Sequence, residues 1–136
     1  MNTETVEKIN QKKVGKVDLI KLIESKFVKD NTIISSNDNT RLEVGDLLRV
    51  AYTIYEGAKE RTQYYEGLVI AKQNKGLGKS FTLRRSVQGI GVEQVFLVNS
   101  PKIVSITKKQ SSKVRRAKLY FLRGLTGKAT RLKRKF

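Results

Sequence analysis

The chain is 136 residues long and carries 29 Lys and Arg against 12 Asp and Glu, with no His, Cys or Trp. That inventory excludes a disulfide, a thiolate nucleophile, an imidazole base and a Cys/His metal site, so no catalytic or metal-ligating residue is assigned. A net charge of +17 far exceeds the roughly 2–8 that keeps a small domain soluble, and it implies a polyanionic partner.

Residues 1–42 read as an N-terminal extension. Residues 1–16 are polar and without periodicity, as in a mobile segment. From Val17 to Lys29, apolar residues fall at Val17, Ile20, Ile23 and Phe27, with Leu19 and Leu22 beside them. The 3–4 spacing predicts an amphipathic helix over 17–29. Asp30 to Thr40 reads as a polar linker.

The body, 43–107, opens at the turn signal Gly45-Asp46, where the apolar period becomes two. Leu48, Val50, Tyr52 and Ile54 line one face of a strand, and Arg49, Ala51, Thr53 and Tyr55 the other. A Gly-containing turn at 56–60 predicts an antiparallel return along 61–73, where Gly67 signals a bulge or sharp bend. Residues 74–80 form a loop and 81–87 a third strand. The chain turns again at 88–91, and 92–98 is a fourth strand. Pro101 ends it, and 102–107 is a fifth. Five short strands with Gly turns and no intervening long helix predict a small five-stranded antiparallel barrel, mainly β, rather than a parallel sheet.

Charge divides the chain unevenly. Residues 1–93 hold every acid and net +4, whereas 94–136 net +13 without one carboxylate. Residues 108–136 interleave their cations with Val114, Leu119, Tyr120, Phe121, Leu122, Leu125 and Leu132, which a merely solvating tail would not need. Val114, Ala117 and Phe121 share a helical spacing, so a short helix is expected near 113–123. Gly124 and Gly127 interrupt it before a last turn through 128–134. Tyr120 and Phe121 are expected chiefly to anchor that helix on the barrel, although either ring can also stack on a base.

Two nucleotide-site fragments fail on context. Gly78-Lys79-Ser80 has Gln at position 73 where a phosphate-binding loop needs Gly, and a strand rather than a helix follows. Gly89-x-Gly91 lacks the third Gly and helix of a dinucleotide fingerprint. Lys75 and Lys79 remain able to touch a phosphate from the loop, and alternation sends Arg84 and Arg85 to opposite faces. The principal candidates for nucleic-acid binding lie beyond: Lys108, Lys109, Lys113, Arg115, Arg116, Lys118, Tyr120, Arg123, Lys128, Arg131, Lys133, Arg134 and Lys135. Such cations release condensed counterions from phosphates and make binding steeply salt dependent. No zinc finger, zipper or aromatic-rich RNA motif is present, which favours recognition of backbone and shape. On this division of labour a chain ending at Thr107 keeps a folded barrel and loses assembly.

Several runs together resemble one family. They are Val44-Gly45-Asp46, Tyr55-Glu56-Gly57, Lys59-Glu60-Arg61-Thr62-Gln63, Glu66-Gly67-Leu68-Val69-Ile70-Ala71, Phe81-Thr82-Leu83-Arg84-Arg85, Gly91-Val92-Glu93-Gln94-Val95-Phe96 and Ser100-Pro101. Most specific is Lys113-Val114-Arg115-Arg116-Ala117-Lys118-Leu119-Tyr120, followed by Leu122-Arg123 and Gly127-Lys128-Ala129. Over about 43–135 these resemble the nineteenth protein of the bacterial-type large ribosomal subunit. The resemblance implies an SH3-like barrel with a basic extension bound to large-subunit rRNA near the subunit interface. Neighbouring ribosomal proteins and small-subunit rRNA at a bridge are the further partners it implies, with no cofactor, membrane or small-molecule substrate. Residues 1–42 are longer and more polar than the family's usual start, and Ser111-Ser112 replace a basic residue and a Gly. The 95–102 run is most similar to cyanobacterial and plastid members, so a plastid ribosome is expected, with a bacterial cytoplasm as the alternative. A DNA-architectural or transcription-elongation barrel and a peripheral membrane protein are the competing readings.

Overall fold

The computed structural model describes residues 18–27 and 41–135. The expected mobile start (1–16) and linker (30–40) lie outside the described residues. Helix α1 spans Leu19–Phe27. The Asp18 carboxylate accepts the Ile20 N–H at 3.3 Å, covering one of the donors a helix start leaves unpaired. Lys26 sits in the last turn, where the helix dipole favours a cation.

The body folds as β1 (Leu47–Glu56), β2 (Lys59–Gln73), β3 (Ser80–Val87), β4 (Ile90–Leu97) and β5 (Ile103–Gln110). All pair antiparallel in one sheet ordered β4-β3-β2-β1-β5. The five strands follow the period-two pattern to within a few residues. The β3–β4 turn places Gln88 and Gly89 at φ 51° and 80°, the left-handed pair that suits strand twist.

The ladder does not close into a full barrel, because β4 and β5 remain unpaired with each other. The Asn99–Lys102 connection, with the donor-less Pro101, carries the chain across to β1, where Thr53 N–H donates to Lys102 O at 2.8 Å. Side chains bridge the open side instead. Phe96 of β4 meets Tyr52 of β1 edge-on at 5.7 Å and Tyr65 of β2 at 5.6 Å, and it stacks on Phe81 at 5.7 Å.

Ladder irregularities shape the sheet. Val69 pairs with Leu83 but Ala71 with Thr82, so Ile70 is an extra residue in β2. The bulge lets Val69, Ile70 and Ala71 all be buried, which strict alternation forbids. It lies three residues past Gly67. At Gly67 a Cβ would come within 2.9 Å of Arg84 O, so that glycine marks close approach of β3's backbone. In β5, Val104 and Lys109 are extra residues opposite β1. Ala51 and Thr53, on the expected outer face of β1, are buried as well. That strand is flanked by β2 and β5 and faces the Val104 bulge.

The largest departure from expectation lies after Gln110. No α-helix forms at 113–123. The segment makes an isolated bridge at Ser112, bends at 115–117, and then makes two short 3-10 turns, Tyr120–Gly124 and Gly127–Thr130. A helix there would stack Lys113 on Arg116 and Arg115 on Lys118 at i,i+3 with no acid to offset them. Ser111 and Ser112, the residues placed to cap it, are engaged elsewhere. Ser111 donates to Asp46 Oδ1 at 2.9 Å, and Ser112 is buried and bridges Arg134. Leu119 and Leu122, three apart as one 3-10 turn requires, enter the core at 2% exposure each.

Candidate nucleic-acid interface

The basic extension is held against the body by named contacts. Leu119 N–H donates at 2.8 Å to the carbonyl of the bulged Ile70. Lys113 N–H donates to Lys133 O and Lys135 N–H to Ser111 O, both at 2.9 Å, so the end of the chain folds back on its own beginning. Val114, Leu125 and Leu132 pack half-buried on the core. Gly45, at φ 94°, accommodates this packing, since a Cβ there would meet Val114 Cγ1 at 2.6 Å.

Several of the expected phosphate-binding cations are engaged with carboxylates. Lys108 Nζ lies 2.9 Å from Asp46 Oδ2, with Asp46 fully buried and Lys108 only 14% exposed. Asp46 also accepts Glu43 N–H and the Ser111 hydroxyl, so its oxygens are satisfied. Arg84 donates to Glu93 Oε1 at 3.0 Å, while Arg123 grips both Glu93 oxygens through Nε and Nη2 at 2.8–3.3 Å. The Arg123 hydrogen bonds hold the Glu93 carboxyl below its ordinary pKa against partial burial, and Arg84 adds to the effect. The same contact raises Arg123. Lys109 meets Glu66 at 2.7 Å in an exposed pair, the kind of contact worth little in water. Arg85 points to the other face, as alternation requires, and covers the Tyr65 ring at 4.3 Å. Burial raises the Tyr65 hydroxyl's pKa, with Arg85 opposing.

The remaining candidates form no salt bridge among the described residues. Lys113, Arg115, Arg116, Arg131 and Lys133 surround one cleft of about 670 Å³. Lys113, Arg134 and Lys135 border a second hollow, which Glu43 also lines. Lys118 and Arg123 flank the Tyr120 ring at 5.8 and 4.5 Å. Lys128 is exposed in the last 3-10 turn. Lys75 and Lys79 belong to a different neighbourhood, the β2–β3 loop, where Lys79 shares a groove with Arg41 and Lys72. Arg41 and Lys72 escaped the sequence reading because they stand alone in a mixed-charge stretch. The organising role of Glu93 had one signal, its place as the last acid before an acid-free third of the chain. Tyr120 and Phe121 are each 41% exposed, so Leu119 and Leu122, not the aromatics, anchor the extension.

No grouping among the described residues could hold a metal ion, and no described helix is long and apolar enough to cross a membrane. The family described as ribosomal protein L19 matches residues 18–135, nearly the whole chain and all of the sheet and extension. The chain belongs to the ribosomal protein L19 family. As an L19 protein it is a structural constituent of the large ribosomal subunit, acting in translation and not as an enzyme. It is similar to the large ribosomal subunit protein bL19c of Phaeodactylum tricornutum, 54% identical over 118 residues that cover 87% of this chain and 92% of that one. The bL19c of Trieres chinensis is 55% identical over 95 residues, 70% of this chain and 79% of its own. The bL19 of Synechocystis is 48% identical over 118 residues, 87% and 91%. Diatom bL19c relatives, with cyanobacterial bL19 proteins next in similarity, support the expected plastid ribosome for this L19 protein.

Proposed function

We propose that the chain binds and stabilises folded large-subunit rRNA through its extension, near the subunit interface, and contributes to a bridge with small-subunit rRNA. The observation that supports this reading is the cleft ringed by Lys113, Arg115, Arg116, Arg131 and Lys133, with no carboxylate among its lining residues. Cations packed this closely repel one another until phosphates arrive, so RNA binding relieves a strain that the free protein carries. Rigid docking of the extension fixes the spacing of those cations before RNA is met, which lowers the ordering cost of binding.

The test is a salt titration of affinity for a structured rRNA fragment and for duplex DNA of equal length. A steep fall in affinity with salt and a preference for RNA are expected. A DNA preference would move the DNA-architectural reading to first place. For the bridge, large subunits carrying Arg→Gln changes in the extension are expected to join small subunits less readily; unchanged joining would remove that part of the proposal.

A further inference from the structure

The cleft between residues 113–121 and 129–133 is more than a charged surface. The buried Leu119 and half-buried Leu132 line it together with the exposed Phe121 and the cations Lys113, Arg131 and Lys133. It measures about 670 Å³ and is widely open to solvent, as a site for one segment of a larger ligand would be. Phe121 lies outside the core cluster. Leu119 and Leu122 occupy the core at 2% exposure, while the Phe121 ring stays 41% exposed. The Arg116 guanidinium lies 5.2 Å from the centre of that ring, so a flat cation and a flat aromatic border the same opening. Phosphates alone would need only the cations. An apolar lining with an exposed aromatic ring and a guanidinium plane suits a planar ring carrying an anionic group.

We propose that this cleft receives one unstacked RNA nucleotide, its base against Phe121 and Arg116 and its phosphates on Lys113, Arg131 and Lys133. The proposal rests on the RNA binding argued above and gives it a local preference. A base within a continuous helix has both faces covered by its neighbours, so only a bulged or looped-out base can present a face to Phe121. An acidic peptide would satisfy the cations but would leave the aromatic ring without a planar partner.

The test uses the full-length chain and two RNA hairpins that differ by a single bulged 2-aminopurine nucleotide. The bulged hairpin is expected to bind more tightly by between about fivefold and a hundredfold, the range that one base–aromatic stack supplies. The 2-aminopurine emission is expected to fall on binding. Phe121→Leu keeps every charge; it is expected to abolish both the preference and the quenching while changing affinity for the unbulged hairpin less than about twofold. Arg116→Lys, which retains charge but loses the guanidinium plane, is expected to reduce the preference at an unchanged salt slope. It gives a second readout should Phe121→Leu melt early. Equal binding of the two hairpins, equal losses on both for Phe121→Leu, or displacement of the bulged hairpin by polyglutamate at matched charge would each overturn the proposal. Equal, salt-dependent binding of both would sink this inference alone, whereas no salt-dependent binding of either would sink the general RNA-binding reading with it.

Discussion

In the sheet, Arg49 and Arg85 lie over tyrosine rings, whereas four other cations end on carboxylates: Lys108 on Asp46, Arg84 on Glu93, Lys109 on Glu66 and Arg61 on Glu56. Beyond Gln110 only Arg123 does so among the described residues, and its partner, Glu93, belongs to the body. Lysine and arginine therefore serve as largely buried ion-pair partners at Lys108 and Arg84 and stand unpaired around the cleft of the extension. What separates the two roles is the presence of an acid within reach, a property of the fold rather than of the cation. Lys108 and Lys113 are five positions apart in one basic run. One is buried on a carboxylate and the other borders the open cleft.

Truncation after Thr107 tests the comparison most severely. It removes Lys108, which neutralises Asp46, together with Leu119 and Leu122 of the core. Loss of cooperative unfolding by calorimetry is expected, in place of the folded barrel that the sequence alone suggests. Lys108→Met is next, at about 3–5 kcal/mol in urea denaturation, because it strands a buried charge. Adding Asp46→Asn should recover much of that loss, whereas Lys113→Met should cost under about 0.5 kcal/mol. Leu122→Ala is expected to destabilise by roughly 2–4 kcal/mol.

Gln at Lys113, Arg131 and Lys133 together should leave the melting temperature unchanged. Each should lower the slope of log affinity against log salt by about 0.9 if it holds a phosphate of an RNA duplex, less for a single strand. The smallest expected effect is in pH. Glu93's folded pKa is lowered, chiefly by the Arg123 hydrogen bonds, so its contribution is present above the ordinary carboxyl value and lost as pH falls through the lowered one. With Arg123 half exposed, that contribution is screened to about 1 kcal/mol or less. Glu93→Gln should flatten that part of the acid limb in urea midpoints measured from pH 7 to 3.

The strands were legible because Leu48-x-Val50 and Phe81-x-Leu83 alternate, and alternation needs only the nearest neighbours in the chain. The extension was not, for a matching reason. The Val114, Ala117 and Phe121 spacing imitates a helical face, yet Leu119 and Leu122 are the residues the core takes. That choice depends on the Ile70 carbonyl, 49 positions away, which no local pattern reports. Basicity located the candidate interface as a region. Its division into structural and available cations depended on Asp46, Glu66 and Glu93, all outside that region.

The Asp46 node also bears on how the chain folds. The Ser111–Asp46 bond joins residues 65 positions apart, and the Lys108 pair is nearly as long-range. Contacts of such span must close a large loop before they repay any entropy, which slows folding relative to local structure. During synthesis the carboxylate at 46 therefore leaves the polymerising machinery more than sixty residues before the lysine that will neutralise it. The hairpins of β1 through β4 precede it, and the closing step belongs to the last quarter of the chain. Until then the segment that follows has no carboxylate of its own to offset its cations, and the buried acid waits on the far end of the chain for its charge partner.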